Sequence, residues 1–142
     1  MEHSISITDN DIRLAEELLL GGGKFDEEEK IPIIKCMDKS IDVIACPGSG
    51  KTTTLLAKLS ALQRHLPLDN SKGICVITHT NVAVNEIKKK LGSKSDSFFS
   101  YPNYFGTIHT FFSKYFANPC FKELFGKKIK VVDDETYYRI LY

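Results

Sequence analysis

The octapeptide Ala45-Cys46-Pro47-Gly48-Ser49-Gly50-Lys51-Thr52 carries the clearest chemistry in the chain. It fits the pattern A/G-x-x-x-x-G-K-S/T. Gly48 and Gly50 permit backbone angles that a Cβ opposes, and they let the chain approach an anion closely. Successive amides of such a loop point into one concavity, and a helix that starts behind it adds its positive end. Lys51 can reach the β- and γ-phosphates of a triphosphate. The hydroxyl of Thr52 suits one position on Mg²⁺, a cation that keeps water and phosphate oxygens in most of its others. Pro47, Gly48, Ser49, Gly50, Lys51, Thr52 and Thr53 are therefore the candidate cradle, with Lys51 and Thr52 in catalytic roles and Thr52 on the metal. The competing reading is a glycine-rich turn with an incidental lysine. The flanks decide against it.

Those flanks are the elements that must hold the loop. "IDVIAC" (41–46) is short, apolar and partly β-branched, which predicts a buried parallel strand. From Lys51 to Leu66, Leu55, Leu56, Leu59, Leu62 and Leu66 recur at helical spacing. Upstream, Thr8 and Asp11 resemble a capping box for a helix that stops at Gly21-Gly22-Gly23. "FDEEEKIPIIKCMD" begins like a second helix, which Pro32 either kinks or starts. Downstream, "GICVIT" (73–78) predicts a second buried strand, and Asn81 can cap a helix through Leu91 that ends in "KKK". "YFGTIHTFFSKYF" passes from an extended piece into a helix whose Phe111, Phe112, Tyr115 and Phe116 read as core. "KIKVVDDETYYRILY" predicts a short strand and the start of another helix. Strand and helix in alternation predict an α/β fold with a parallel sheet flanked by helices. Residues 1–40 form N-terminal helices and 41–142 the core with the phosphate loop.

The bulk numbers bound the rest. The chain has 142 residues, 42% hydrophobic and 26% charged, and a formal net charge of +1. That suits one globular domain, and any polyanion-binding surface must be local. No stretch approaches the about 18 apolar residues of a membrane span, and the polar N-terminus lacks a signal-peptide pattern. Cys36, Cys46, Cys75 and Cys120 form no C-x-x-C pair, so zinc is not expected. At least two of them adjoin apolar runs and predict buried thiols of a reducing compartment, the cytoplasm. The helical pattern runs to Tyr142 without a stop, which predicts the N-terminal part of a longer protein.

Two further stretches, in order after the loop, narrow the class. "VITHTNVAVNEIKKKL" (76–91) resembles motif Ia of UvrD/Rep-like superfamily 1 DNA helicases, T-x-T-N-x-A-A-x-E, through Thr78, Thr80, Asn81, Ala83 and Glu86. "GTIHTFF" (106–112) resembles motif Ib, G-T-F-H-S, through Gly106, Thr107 and His109. The resemblance covers residues 25–117 and implies the N-terminal part of a first motor domain: a RecA-like P-loop NTPase core, incomplete here, that binds ATP and Mg²⁺. It implies 3′ to 5′ movement on single-stranded DNA, with the remainder of the helicase chain as partner. Thr78, Thr80, Asn81, Thr107 and His109 would contact the DNA. Their hydroxyl, amide and imidazole groups suit phosphate contacts that read no sequence, and Tyr104 or Phe105 could stack on a base. Each also has a plainer reading, Asn81 as a helix cap and His109 as a satisfied polar residue.

Two departures accompany the resemblance. The family carries an adenine-contacting glutamine upstream of the loop lysine, whereas the only glutamine here is Gln63, downstream; Lys30 stands at about that position. Phe25 could lie against the nucleotide or in the core. Hydrolysis also needs an acidic residue on the metal and a base to orient water, and in the family the D-E-x-Q motif comes much later, after an inserted helical subdomain. "KVVDDE" (130–135), with Asp133, Asp134 and Glu135, could be an acidic strand end or a helix cap. The chain alone is then expected to bind nucleotide without productive turnover. A small P-loop nucleotide or nucleoside kinase, and a non-catalytic P-loop binding module, are the rival readings. Repair, plasmid maintenance and phage defence all employ such motors.

Overall fold

The computed structural model describes residues 5–68, 72–92 and 98–127. The acidic stretch 130–135 and the strand and helix expected around it lie outside these residues. The chain divides into two compact units, Met1–Cys75 with Asn85–Tyr104, and Val76–Val84 with Phe105–Tyr142.

The first unit is built on three helices. Helix α1 (Asp9–Leu20) opens on the expected capping box: the Thr8 hydroxyl accepts from the Asp11 amide, and the Asp11 carboxylate accepts from the Thr8 amide at 2.9 Å. It ends at Gly21 in the left-handed region, φ 59°, a conformation open to glycine at little cost. Helix α2 (Lys30–Lys35) carries Pro32 in its first turn, where no intrahelical amide is lost, so the proline sits in a start and not a kink. The acids before it stay outside the helix, and the Asp26 carboxylate accepts the amides of Glu28 and Glu29 at 2.9 and 2.7 Å. Helix α3 (Lys51–Gln63) packs against both. Ile7, Ile12, Ala15, Phe25, Ile34, Ala57, Ala61 and Leu62 close this core. Each larger aliphatic or aromatic side chain buried there contributes about 1.5–3 kcal/mol. Phe25 is thus a core residue, tied down further by its amide donating to Glu16 Oε1 at 2.8 Å. Along α3, Leu56, Leu59 and Leu62 are buried as their spacing predicts, while Leu55 stays exposed.

Strands β1 (Cys75–Thr78) and β2 (Tyr104–Thr107) pair in a parallel two-stranded sheet, with helix α4 (Asn81–Leu91) between them in sequence. Just before β1, the Ile74 amide donates to Asn103 Oδ1, and the Tyr104 amide donates to the Ile74 carbonyl, both at 2.8 Å. After β2 come helix α5 (Ile108–Phe112), a π-helical turn (Ser113–Ala117) and helix α6 (Asn118–Phe125).

Four expectations are corrected. Residues 41–46 form no strand and are exposed, Ile44 at 96%. A parallel strand is buried only between neighbours, and the two strands among the described residues pair with each other. For the same reason β1 is not buried but alternates between exposed and half-buried residues. None of the four cysteines is buried: Cys36 is half-buried and Cys46, Cys75 and Cys120 are exposed. Cys46, Cys75 and Cys120 lie on segments whose nearest apolar neighbours are exposed or only half-buried, and Cys36 caps the C-terminal end of α2, beyond the buried Ile34. Phe112, Tyr115 and Phe116 are exposed and Phe111 half-buried. Phe111 meets Phe112, Tyr115 and Phe116 at ring-centroid distances of 5.1–6.0 Å, so these aromatics pack on one another at the surface.

Candidate nucleotide site and strand-end residues

The loop at 45–52 turns tightly, with the Ser49 amide donating to the Cys46 carbonyl at 3.2 Å. Gly48 has φ 81° and Gly50 φ 88°, the left-handed region in which a side chain is strained. Gly50 is also the residue from which α3 starts, and no side chain caps that end. The first amides of a helix have no acceptor within it, so those of Lys51, Thr52 and Thr53 stand at the mouth of the loop. The following turn is pinned: the Thr54 amide and the buried Thr54 hydroxyl both donate to the Gly50 carbonyl, at 2.9 and 3.1 Å. Thr54 was not singled out from the sequence, although a hydroxyl three residues into such a helix is a signal for this anchoring.

The Lys51 ammonium crosses the loop and donates to the carbonyls of Ala45 and Cys46, at 2.5 and 2.7 Å. Thr52 is exposed and Thr53 half-buried. A single exposed hydroxyl is a donor set suited to Mg²⁺ held chiefly through water and phosphate. No group of three or more His, Cys, Asp or Glu among the described residues could hold a metal by itself.

The helix behind the loop is tied to α2. Lys58, half-buried on α3, donates to the Ile33 carbonyl at 3.1 Å and to the Cys36 carbonyl, joining the C-terminal end of α2 to α3. Burial pushes the Lys58 ammonium below the usual lysine range, with Cys36 opposing weakly. This lysine is hard to see in the sequence, because a lysine between leucines reads as a solvated position. At the base of α1, Asp11 is buried and faces Arg64 Nε and His65 Nε2, each at 3.2 Å. Burial raises its carboxyl pKa. The Thr8 hydroxyl and amide, then His65, outweigh this and hold it below its ordinary value.

Thr78, Thr80, Asn81, Thr107 and His109 lie in the second unit, at or just beyond the carboxyl ends of the two parallel strands. Thr78 ends β1 and its hydroxyl donates to the Thr80 carbonyl at 2.9 Å. The residue that caps α4 is Thr80, whose hydroxyl accepts from the Ala83 amide at 3.3 Å, and not Asn81, which is the first helical residue and exposed. Thr107 ends β2 and is buried; it caps α5 by accepting from the Thr110 amide at 3.3 Å. His109 is exposed one residue into α5. Tyr104 is buried and Phe105 half-buried. The lysines that end α4 are engaged locally, Lys90 with Glu86 at 3.0 Å and Lys88 over the Phe99 ring at 5.5 Å.

A family model described as the UvrD/REP helicase N-terminal domain matches residues 26–142. A "Probable DNA helicase II homolog" of Mycoplasma capricolum subsp. capricolum is 30% identical over 87 residues, which are 61% of this chain and 12% of that protein. The chain therefore spans a small part of the length of the relative it matches. No helix among the described residues is long and apolar enough to cross a membrane.

Proposed function

Since the chain belongs to the UvrD/REP helicase N-terminal domain family, we propose that it is the nucleotide-binding part of an ATP-dependent DNA helicase that moves 3′ to 5′ on single-stranded DNA. The observation that carries this reading is the loop at 45–52: two left-handed glycines, an uncapped helix start, and an ammonium laid across the mouth. In the proposed mechanism Lys51 exchanges two loop carbonyls for the β- and γ-phosphates, and the amides of Gly48 to Thr53 hold the remaining oxygens. Thr52 takes one position on Mg²⁺. When bound, the metal neutralises charge on the phosphates as the γ-phosphoryl group is transferred to water. The second unit has a separate task. Thr78, Thr80, Asn81, Thr107 and His109, at strand ends that feed helix starts, face the DNA backbone in this reading. Asn81 and His109 are its most accessible members, since Thr80 and Thr107 spend their hydroxyls on capping.

The RecA-like P-loop fold, the acidic metal residue, the water-orienting base and the second motor domain complete the proposal in the whole protein. The chain by itself is then a nucleotide binder without DNA-driven turnover. Calorimetric titration with Mg-ATP tests this. Wild type binds, and Lys51→Ala binds at least about tenfold more weakly, the loss of one hydrogen-bonded charge, with an unchanged helical spectrum. A Lys51→Ala chain that binds like its parent refutes the assignment.

A further inference from the structure

Lys30 opens α2, and its position is held from two sides. The Asp26 carbonyl accepts the amides of Lys30 and Ile31 at 3.1 and 3.0 Å. Ile34, one turn on, is wholly buried in the core that α2 shares with α3. From there the side chain extends to the phosphate loop. Its Nζ lies 3.3 Å, and its Cε 3.8 Å, from the point where a Cβ on Gly50 would stand. Among the described residues the ammonium of this half-buried lysine has no hydrogen-bond or ion-pair partner. It sits beside the start of α3, where the helix dipole is already positive, while the loop's other ammonium, Lys51, lies across it on the Ala45 and Cys46 carbonyls. No carboxylate among the described residues pairs with either. A cation placed at the positive end of a helix is repelled by it, so the arrangement is mismatched until an anion enters.

We infer that Lys30 is a second phosphate-binding residue of this loop, one that reads the charge of a nucleoside triphosphate and not its base. The inference rests on the nucleotide reading given above. The chemistry of the side chain sets the selectivity. An ammonium offers three donors and no acceptor, so it cannot take a hydrogen bond from the adenine amino group as an amide side chain does. Its position against Gly50 puts it at the phosphate end of the site. Binding should therefore depend on the number of phosphates and be indifferent between adenine and guanine.

The test is titration of the full chain with Mg-ATP, Mg-GTP and Mg-ADP, for wild type, Lys30→Met, Lys30→Gln and Lys30→Arg. Wild type is expected to bind ATP and GTP within about threefold of each other, and ADP more weakly. Lys30→Met should weaken ATP and GTP by the same factor, about tenfold, as for removal of one charged hydrogen bond. Lys30→Arg should restore most of the affinity, and Lys30→Gln should not. Lys30→Met acting on ATP alone, or on neither triphosphate, overturns the inference while leaving the nucleotide reading intact. Wild type that binds no nucleotide removes both. Melting curves of the four chains separate a binding loss from a folding loss.

Discussion

Gly73 sets the approach of β1 to β2, and replacing it with alanine should be costly for a reason other than backbone strain. A Cβ at Gly73 would stand 2.2 Å from the Pro102 carbonyl oxygen, 2.6 Å from its carbon and 3.2 Å from the Asn103 amide nitrogen. All three are main-chain atoms, so no side chain can swing aside. Relief requires the two segments to separate by more than about 1 Å, given ordinary van der Waals distances. Overpacking of that kind costs about 1–3 kcal/mol. The same movement breaks the bonds from Ile74 to Asn103 and from Tyr104 to Ile74, at about 1 kcal/mol each. The total is about 3–5 kcal/mol, a large share of the stability of a small domain. Urea denaturation followed by circular dichroism measures it. Gly92→Ala is the control: its φ is 79° and nothing lies within 4 Å of the added Cβ, so it carries backbone strain alone, about 1–2 kcal/mol. Should Gly73→Ala cost no more than Gly92→Ala, the close approach of these segments is wrong. The register that sets the ends of β1 and β2, and with them Thr78 and Thr107, then falls with it.

Other consequences follow from the groups behind the loop. The Asp11 carboxyl is held below its ordinary value, so its stabilisation is complete above the usual aspartate range and is lost as pH falls through and below it. Acid unfolding of wild type should accordingly steepen there, and Asp11→Asn should flatten that limb; parallel profiles for the two chains would contradict the linkage. Lys58→Met removes the donors to Ile33 and Cys36 but also removes a desolvated charge, so the net loss should be about 1 kcal/mol, near 3 °C in Tm. A higher Tm in Lys58→Met would mean that desolvation outweighs the bridge between α2 and α3.

What could be read from the sequence was what depends on near neighbours in the chain. The Thr8–Asp11 box, the glycine stop after α1, the extent of α4 and the turn at Gly48 and Gly50 are all determined within a few residues, and all stand where expected. Burial was not legible in the same way. "IDVIAC" has the composition of an interior strand, but interior position requires partners distant in sequence, and it stands exposed. Phe112 and Phe116 have helical spacing, yet spacing states which residues share a face and not what covers that face. At the start of α4 the sequence offers Thr80 and Asn81 side by side, two good capping residues. The choice of Thr80 depends on where β1 ends. In the candidate site the motif marks Lys51, and its ammonium lies across the loop. Lys30 reaches Gly50, and Lys58 the carbonyls of Ile33 and Cys36, only through the packing of α2 on α3, which no local pattern encodes.

The loop's main-chain amides are the heart of the account, and they can be observed one by one. In ¹H–¹⁵N correlation spectra of the chain titrated with Mg-ATP, the amides of Gly48, Ser49, Gly50, Lys51, Thr52 and Thr53 should shift most. Those of α6 should stay in place. Unchanged loop amides, or shifts concentrated elsewhere, would contradict the claim that this turn receives the phosphates.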